Sequence, residues 1–282
     1  MWTGLARRIS TLLLAGFLGA FLVRIGPGFG TDEREIDTRL SLASIEQLRR
    51  SAAADRNVLV FYGDYLRKAL VGDLGYSRLL ERPVRELLAE RLPVTLRSVG
   101  FGWVGGVAAG LILAILVAAA GSALEIASAA LGGVLLCVPA GLIGLLLYFA
   151  GLPVAAGIAA VVFPKVFFYT QSLLRDGLES PHVLASRARG LGPLRILLFQ
   201  VVLPSGRTLL ALLGVTLTAA LGASIPMEVV CDSPGIGQLA WRAALGRDMV
   251  LLTGLTLFVA VVTLTANSLA DLASARLEGA SE

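Results

Sequence analysis

Chemistry needs polar side chains in the right company, and this chain supplies few of them. One histidine, His182, stands in "SPHVLASRARG", away from any apolar run. Cys137 and Cys231 lack metal-ligand spacing; Cys137 lies in an apolar run and is expected to pack as a small hydrophobe. A disulfide between them would require Cys231 to come close. No phosphate-cradling G-x-x-x-x-G-K-[ST] loop occurs, and no G-x-S-x-G nucleophile turn. An intramembrane serine protease would need Ser and His deep within apolar spans, and His182 is not so placed. The exception is Lys165, in "VVFPKVFFYTQ", an ionisable group near the middle of an apolar run. Such a group is costly in hydrocarbon and marks either a water-filled path or a buried partner, and both readings stay open. Gln171, about two turns on, is a second candidate for the same face. Pro164 is placed to kink the helix that carries both.

The elements that must position these residues follow from composition. Of 282 residues, 56% are hydrophobic and only 16% charged, against about 25% charged in soluble domains. Several stretches exceed the roughly 18 apolar residues that mark a membrane-spanning helix. Too little polar chain remains to cover so many apolar helices in water, so the fold class is all-α integral membrane protein. The 32 glycines agree, because small residues let helices approach closely in lipid. A net charge of +4, widely dispersed, gives no reason to expect a nucleic-acid partner.

Six spans are expected: Ile9 to Ile25, Val94 to Ala118, Ala123 to Phe149, Leu152 to Leu174, Leu209 to Val230, and Met249 to Ala273. The first resembles a signal peptide, with Arg7 and Arg8 before its apolar run, but lacks an A-x-A cleavage site and is read as a retained helix. The polar region from Gly26 to Arg82 has helical periodicity in "SIEQLRRSAA" and "FYGDYLRKAL". In "RPVRELLAERLP" the stripe Val84, Leu87, Leu88 and Leu92 opposes Arg85, Glu86, Glu90 and Arg91, as in a helix lying in the membrane interface. Little more than "AGLPV" joins the third span to the fourth, as a tight hairpin. Arg7 and Arg8, with Arg175, Arg187, Arg189, Arg195 and Arg207, fall on one side of this topology. The positive-inside rule makes that side cytoplasmic, with both termini on it.

One stretch of that face stands out. "ASRARGLGPLRILLFQVVLP" interrupts the apolar spans with three arginines, two glycines and two prolines. Ser180 and Pro181 mark a helix start, and Gly190 marks a stop. Gly190 and Gly192 suit a left-handed cap and a sharp turn, and Arg187 and Arg189 sit where a helix C-terminus favours cations. A short helix held out by glycine hinges suits a socket in another protein; an ordinary surface loop has the same composition.

At these residues the chain resembles the membrane subunits of ATP-binding-cassette importers. Their Glu-Ala-Ala, three residues, Gly, then Ile-x-Leu-Pro-like pattern reads here as Leu184-Ala185-Ser186, Gly190 and Val201-Val202-Leu203-Pro204. The first position is Leu rather than Glu, which the oligopeptide, dipeptide and nickel branch often permits. "GDLGYSRLLERPVRELLAERLPVTL" is similar to that branch's signature before the second span. "EVVCDSPGIGQLAWRAALGRDMVLLTG" is similar to its outer loop, including Glu228, Pro234, Gly235 and Gly237, and "LARRI…VRIGPG" to its N-terminus. The short hairpin between the third and fourth spans departs from the usual longer outer segment.

The resemblance implies a type I importer permease: residues 1–26 as an N-terminal transmembrane helix, 27–93 as an extracytoplasmic segment with the interfacial helix, and 94–282 as a five-helix core. Its coupling loop would run from about 175 to 208, with Leu184, Ala185, Ser186, Arg187, Arg189, Gly190 and Gly192 engaging the ATPase. Implied partners are a second permease, usually a paralogue, two ATPase subunits and an extracytoplasmic solute-binding protein, in a bacterial or archaeal cytoplasmic membrane. ATP and magnesium would belong to the ATPase subunits, leaving this chain without cofactor, metal or catalytic residues. Peptides are the default cargo, with nickel complexes and some sugars as the other classes. An ion-coupled secondary transporter is the alternative; it would carry ion-coupling residues midway through its spans, where only Lys165 qualifies.

Overall fold

Long Leu, Ala and Val runs become helices in an apolar medium because a helix satisfies every backbone N–H and C=O within one segment. The computed structural model of the protein describes residues 10–11, 13–14, 16–21, 58–120 and 122–278. It is helical almost throughout, with a two-stranded antiparallel ladder. The chain divides into two units, residues 1–92 with 239–262 and residues 93–238 with 263–282, each with its own core.

In the first unit, α1 (Val58–Leu70) precedes a hairpin of β1 (Tyr76–Ser77) and β2 (Arg82–Pro83), with Tyr76 opposite Pro83. Tyr62, Tyr65 and Leu257 form the core, and the Tyr62 hydroxyl donates to the Leu13 carbonyl at 2.8 Å. Burial, with the nearby Asp73 carboxylate adding to it, pushes the Tyr65 phenol up to about 12. The buried Asp248 carboxylate holds the hairpin: it accepts from Ser77 Oγ at 2.7 Å and Leu79 N–H at 3.0 Å. Its other oxygen accepts from Leu251 N–H at 2.9 Å, capping the helix that begins at Met249. The expected helix in "FYGDYLRKAL" lies within α1. Of the first expected span the described residues between 10 and 21 are helical; its remainder and "SIEQLRRSAA" lie outside the described residues.

Two expected boundaries are corrected. The interfacial helix and the span from Val94 form one uninterrupted helix, α2 (Val84–Ala120), of 37 residues with Pro93 inside it. At about 1.5 Å per residue it is roughly 55 Å long, well beyond the ~30 Å hydrocarbon layer. The third expected span, by contrast, is broken. Pro139 lacks an N–H and holds the preceding residue away from helical geometry. The run therefore splits into α3 (Ser122–Cys137) and α4 (Ala140–Phe149), bent by 109°. Each piece alone is shorter than the ~30 Å a span requires. A tight turn through Gly151, at φ +74, leads into α5 (Val154–Leu178) as expected.

After the loop described below come α8 (Gly206–Val230), α9 (Ile236–Leu245) and α10 (Met249–Glu278). Among the described residues four helices, α2, α5, α8 and α10, are long and apolar enough to cross a membrane, and α3 with α4 makes a fifth if the bent pair is one span.

The second unit is built on α5. Gly102, Gly106 and Gly110 recur every four residues, so they line one stripe of α2. Cβ atoms there would lie 2.6 Å from Ile158 Cβ, 2.7 Å from Val162 Cβ and 2.7 Å from Val166 Cβ on α5, which advances in the same fours. α4 and α8 pack on α5 as well. Met227 fills the space left by Gly144 and Gly157, where added Cβ atoms would sit 2.8 Å from its Cγ and 2.9 Å from its Sδ. Two polar pairs bridge these helices: Trp103 Nε1–H donates to Thr216 Oγ1 at 3.1 Å, and the Thr218 hydroxyl to Asn267 Oδ1 of α10 at 2.7 Å. Both cysteines are free; Cys137 is exposed rather than packed inside, and Cys231 is buried against the Gly144 carbonyl.

This packing makes a positional prediction. Gly106→Ala puts a methyl 2.8 Å from the Ala159 carbonyl oxygen and is expected to cost roughly 1–3 kcal/mol as an overpacked contact. Gly105→Ala, whose methyl would meet only Ala159 Cβ at 3.9 Å, is tolerated. Midpoints of thermal unfolding of the two variants in detergent check the difference.

Candidate functional site

The loop between α5 and α8 is a folded module. α6 (Pro181–Ala188) follows Ser180, then α7 (Pro193–Ile196) runs into a π-helical segment, Leu197–Val202. Pro181 suits a first turn because its missing N–H is one a helix start leaves unpaired anyway. The end of α6 is a Schellman turn: Gly190 adopts φ +78, its N–H donates to Arg187 O at 2.9 Å, and Leu191 N–H reaches Ser186 O at 3.3 Å. Gly192 is not among the described residues with positive φ, so Gly190 alone supplies the left-handed cap.

Val183 fixes the inner face of α6. It is fully buried with Phe167 and Leu174 of α5, Ala114 and Val117 of α2, and Ile196, Leu197 and Val201. Ser186 is buried too, and its hydroxyl donates to the His182 carbonyl at 2.9 Å. Leu184, at 57% exposure, Ala185 and Arg187 face outward. Arg189 folds back, Nη2 donating to Ser186 Oγ at 3.2 Å, so its charge sits where the helix dipole favours a cation. The expected coupling residues thus divide by face: Ser186 anchors, Leu184, Ala185 and Arg187 are presented, and Gly190 ends the helix.

A second constellation lies at the far end of α8. Glu228 is fully buried, and its Oε2 accepts from Gly237 N–H at 2.7 Å. Thr95 Oγ1 accepts from Ile236 N–H at 2.9 Å. Two side chains thereby satisfy N–H groups that the start of α9 would otherwise leave unpaired. Gly235 has no room for a side chain because a Cβ would overlap the Glu228 carboxylate, and one on Gly237 would lie 2.6 Å from Ile225 Cα. Glu228, Gly235 and Gly237 are brought together, while Pro234 is exposed at the turn. Gln238 Nε2 closes that turn on Asp232 Oδ1, with Asp232 itself at φ 48.

The two path candidates do not converge. Lys165 is half-buried, its Nζ 3.4 Å from the Val161 carbonyl one turn back on its own helix. Gln171 donates to Glu125 Oε1 of α3 at 3.2 Å, and Arg175 approaches the same oxygen at 4.0 Å. Six positions at 100° apiece leave the two side chains about 120° apart around α5. Two features escaped the sequence reading. The glycine stripe on α2 was visible as a repeated four-residue spacing, whereas the contacts of His182 with the π-helical segment had no sequence signal.

Glu228 and Gly235 compete for one volume, so their substitutions should be non-additive. Gly235→Ala is expected to destabilise by roughly 1–3 kcal/mol, as overpacking does. In a Glu228→Ala background the same change should cost measurably less, because the carboxylate it strikes is gone. A double-mutant cycle of detergent unfolding midpoints reads the coupling.

Residues 106–280 match the family model described as binding-protein-dependent transport system inner membrane component. A Brucella abortus protein bearing the name peptide transport system permease is 23% identical over 301 residues, covering 95% of this chain and 93% of its own. The nickel import system permease NikB of Staphylococcus aureus is 24% identical over 291 residues, covering 97% and 89%.

Proposed function

The chain belongs to the family of binding-protein-dependent transport system inner membrane components, and on that premise we propose that it is one of two permease subunits of an ATP-driven importer whose α6 docks on an ATPase. As a member it is a multi-pass inner membrane protein and a component of transport rather than an enzyme. The finer reading has six spans, the sixth completed by the helix around residues 10–21, with both termini and the α5–α8 loop in the cytoplasm. A solute-binding protein delivers substrate from outside. Relatives named for peptide and for nickel transport support either cargo. Peptide is the proposed one.

One observation carries this reading: α6 is anchored by Val183 and Ser186 yet presents Leu184 and Ala185 with Arg187 beside them. An apolar projection rimmed by cations suits a groove with acidic edges on a partner, and it offers no chemistry of its own. ATP binding would close the paired ATPases, α6 would follow them, and the spans would tilt to alternate access to the path. Lys165 and Gln171 are kept as path residues, Lys165 because among the described residues its Nζ meets only the Val161 carbonyl of its own helix.

Thiol labelling tests the placement. A cysteine at Arg187 in a Cys137→Ala, Cys231→Ala background should react from the cytoplasmic side only; reaction from outside alone would end the importer reading. Gly190→Leu forces a branched side chain into a left-handed turn. It should insert normally while uptake per ATP hydrolysed falls roughly fivefold or more. Lys165→Met at normal expression should lower uptake in the same reconstituted transporter, and unchanged uptake and affinity would remove Lys165 from the path.

A further inference from the structure

The segment leading into α8 has a defect that another part of the loop repairs. Leu203 N–H reaches back five residues to Leu198 O at 3.0 Å, the spacing of a π-helix. An α-helical turn would pair the Gln200 carbonyl with the N–H of residue 204, but that residue is proline and has none. The next N–H, from Ser205, is bound to Val201 O at 3.2 Å. His182 Nε2, on the first turn of α6, lies 3.2 Å from the Gln200 carbonyl oxygen.

The partners settle the tautomer. A carbonyl only accepts, so Nε2 carries the proton. Ser180 Oγ lies 3.3 Å from the same nitrogen and donates its own hydrogen to Gly177 O at 2.5 Å, leaving it an acceptor toward the ring. Both neighbours require Nε2–H. At its main chain the residue accepts from the buried Ser186 hydroxyl. The π-helical segment is itself pressed onto the end of α5, since a Cβ on Gly177 would overlap Val201 Cγ1.

We propose that His182 is a positioning residue that links α6 directly to the start of the α8 span, so that movement of α6 is delivered at Gln200. This deepens the importer reading and rests on it. The apolar contacts of Val183 with Ile196 and Leu197 also join these elements, but burial is non-directional and lets packed surfaces slide. A hydrogen bond to one carbonyl weakens steeply when misaligned, and so holds α6 and the π-helical segment in register.

The complete transporter, reconstituted with its ATPases and binding protein, tests the proposal through two readouts: substrate taken up per ATP hydrolysed, and co-purification of the ATPase. His182→Ala should lower uptake per ATP roughly fivefold with the ATPase still attached, and His182→Gln, which keeps an N–H donor, should restore most of it. Pro204→Ala in the His182→Ala chain gives Gln200 a backbone donor but no link to α6, so coupling should stay low although the carbonyl is satisfied. Full recovery in that double variant would overturn the proposal by reducing His182 to a carbonyl cap. Unchanged uptake per ATP in His182→Ala would overturn it equally. Failure of any ATPase to co-purify with the unaltered chain would overturn both this proposal and the importer reading, a result distinct from the other two.

Discussion

Two helix backbones in direct contact are the constraint on which the second unit depends. Hydrocarbon tails are as apolar as leucine, so burying leucine between helices gains little in a membrane, and close van der Waals packing has to hold them. Gly102, Gly106 and Gly110 remove every side chain from one stripe of α2 and let it rest on Ile158, Val162 and Val166. With α5 so fixed, Phe167 and Leu174 have a set position, and so does the core that receives Val183 of α6. Met227 then locks α8 in the gap between Gly144 and Gly157.

A second constraint governs where polar residues occur. Within the helices the backbone satisfies itself; at their ends it does not, and the informative side chains gather there. Glu228 and Thr95 serve the start of α9, Asp248 serves the start of α10, and the Schellman turn at Gly190 serves the end of α6. His182 serves an internal break, the carbonyl that Pro204 leaves without a donor. Each of these groups fixes a direction as well as satisfying an atom. A chain with few charges can in this way still specify a particular arrangement of helix ends.

The α5–α8 loop shows both constraints at once. Its apolar side belongs to the core of the spans, while its outer side is left exposed by the described residues. Anchoring through Val183 and Ser186 makes α6 stiff relative to α5, and the exposed Leu184 and Ala185 are therefore carried rather than floppy. It thus offers a firm exposed surface, the kind that the proposed transmission of movement from a partner would use.

Much of this was legible in the sequence. Long apolar runs can only be helices in lipid, Ser180-Pro181 and Gly190 mark the bounds of α6, and the order of motifs resembles the family that residues 106–280 match. These follow from local rules: backbone satisfaction, proline's missing N–H, glycine's freedom at positive φ. The tertiary structure alone decided that Pro93 leaves α2 continuous whereas Pro139 breaks the next run, since the cost of a proline depends on whether neighbours favour the bend. It alone gave Gln171 its partner, Glu125 of α3, and set His182 against Gln200, eighteen residues away. Pairings across such distances depend on how the helices pack, and packing is set by shape complementarity over many residues together, which no single segment encodes.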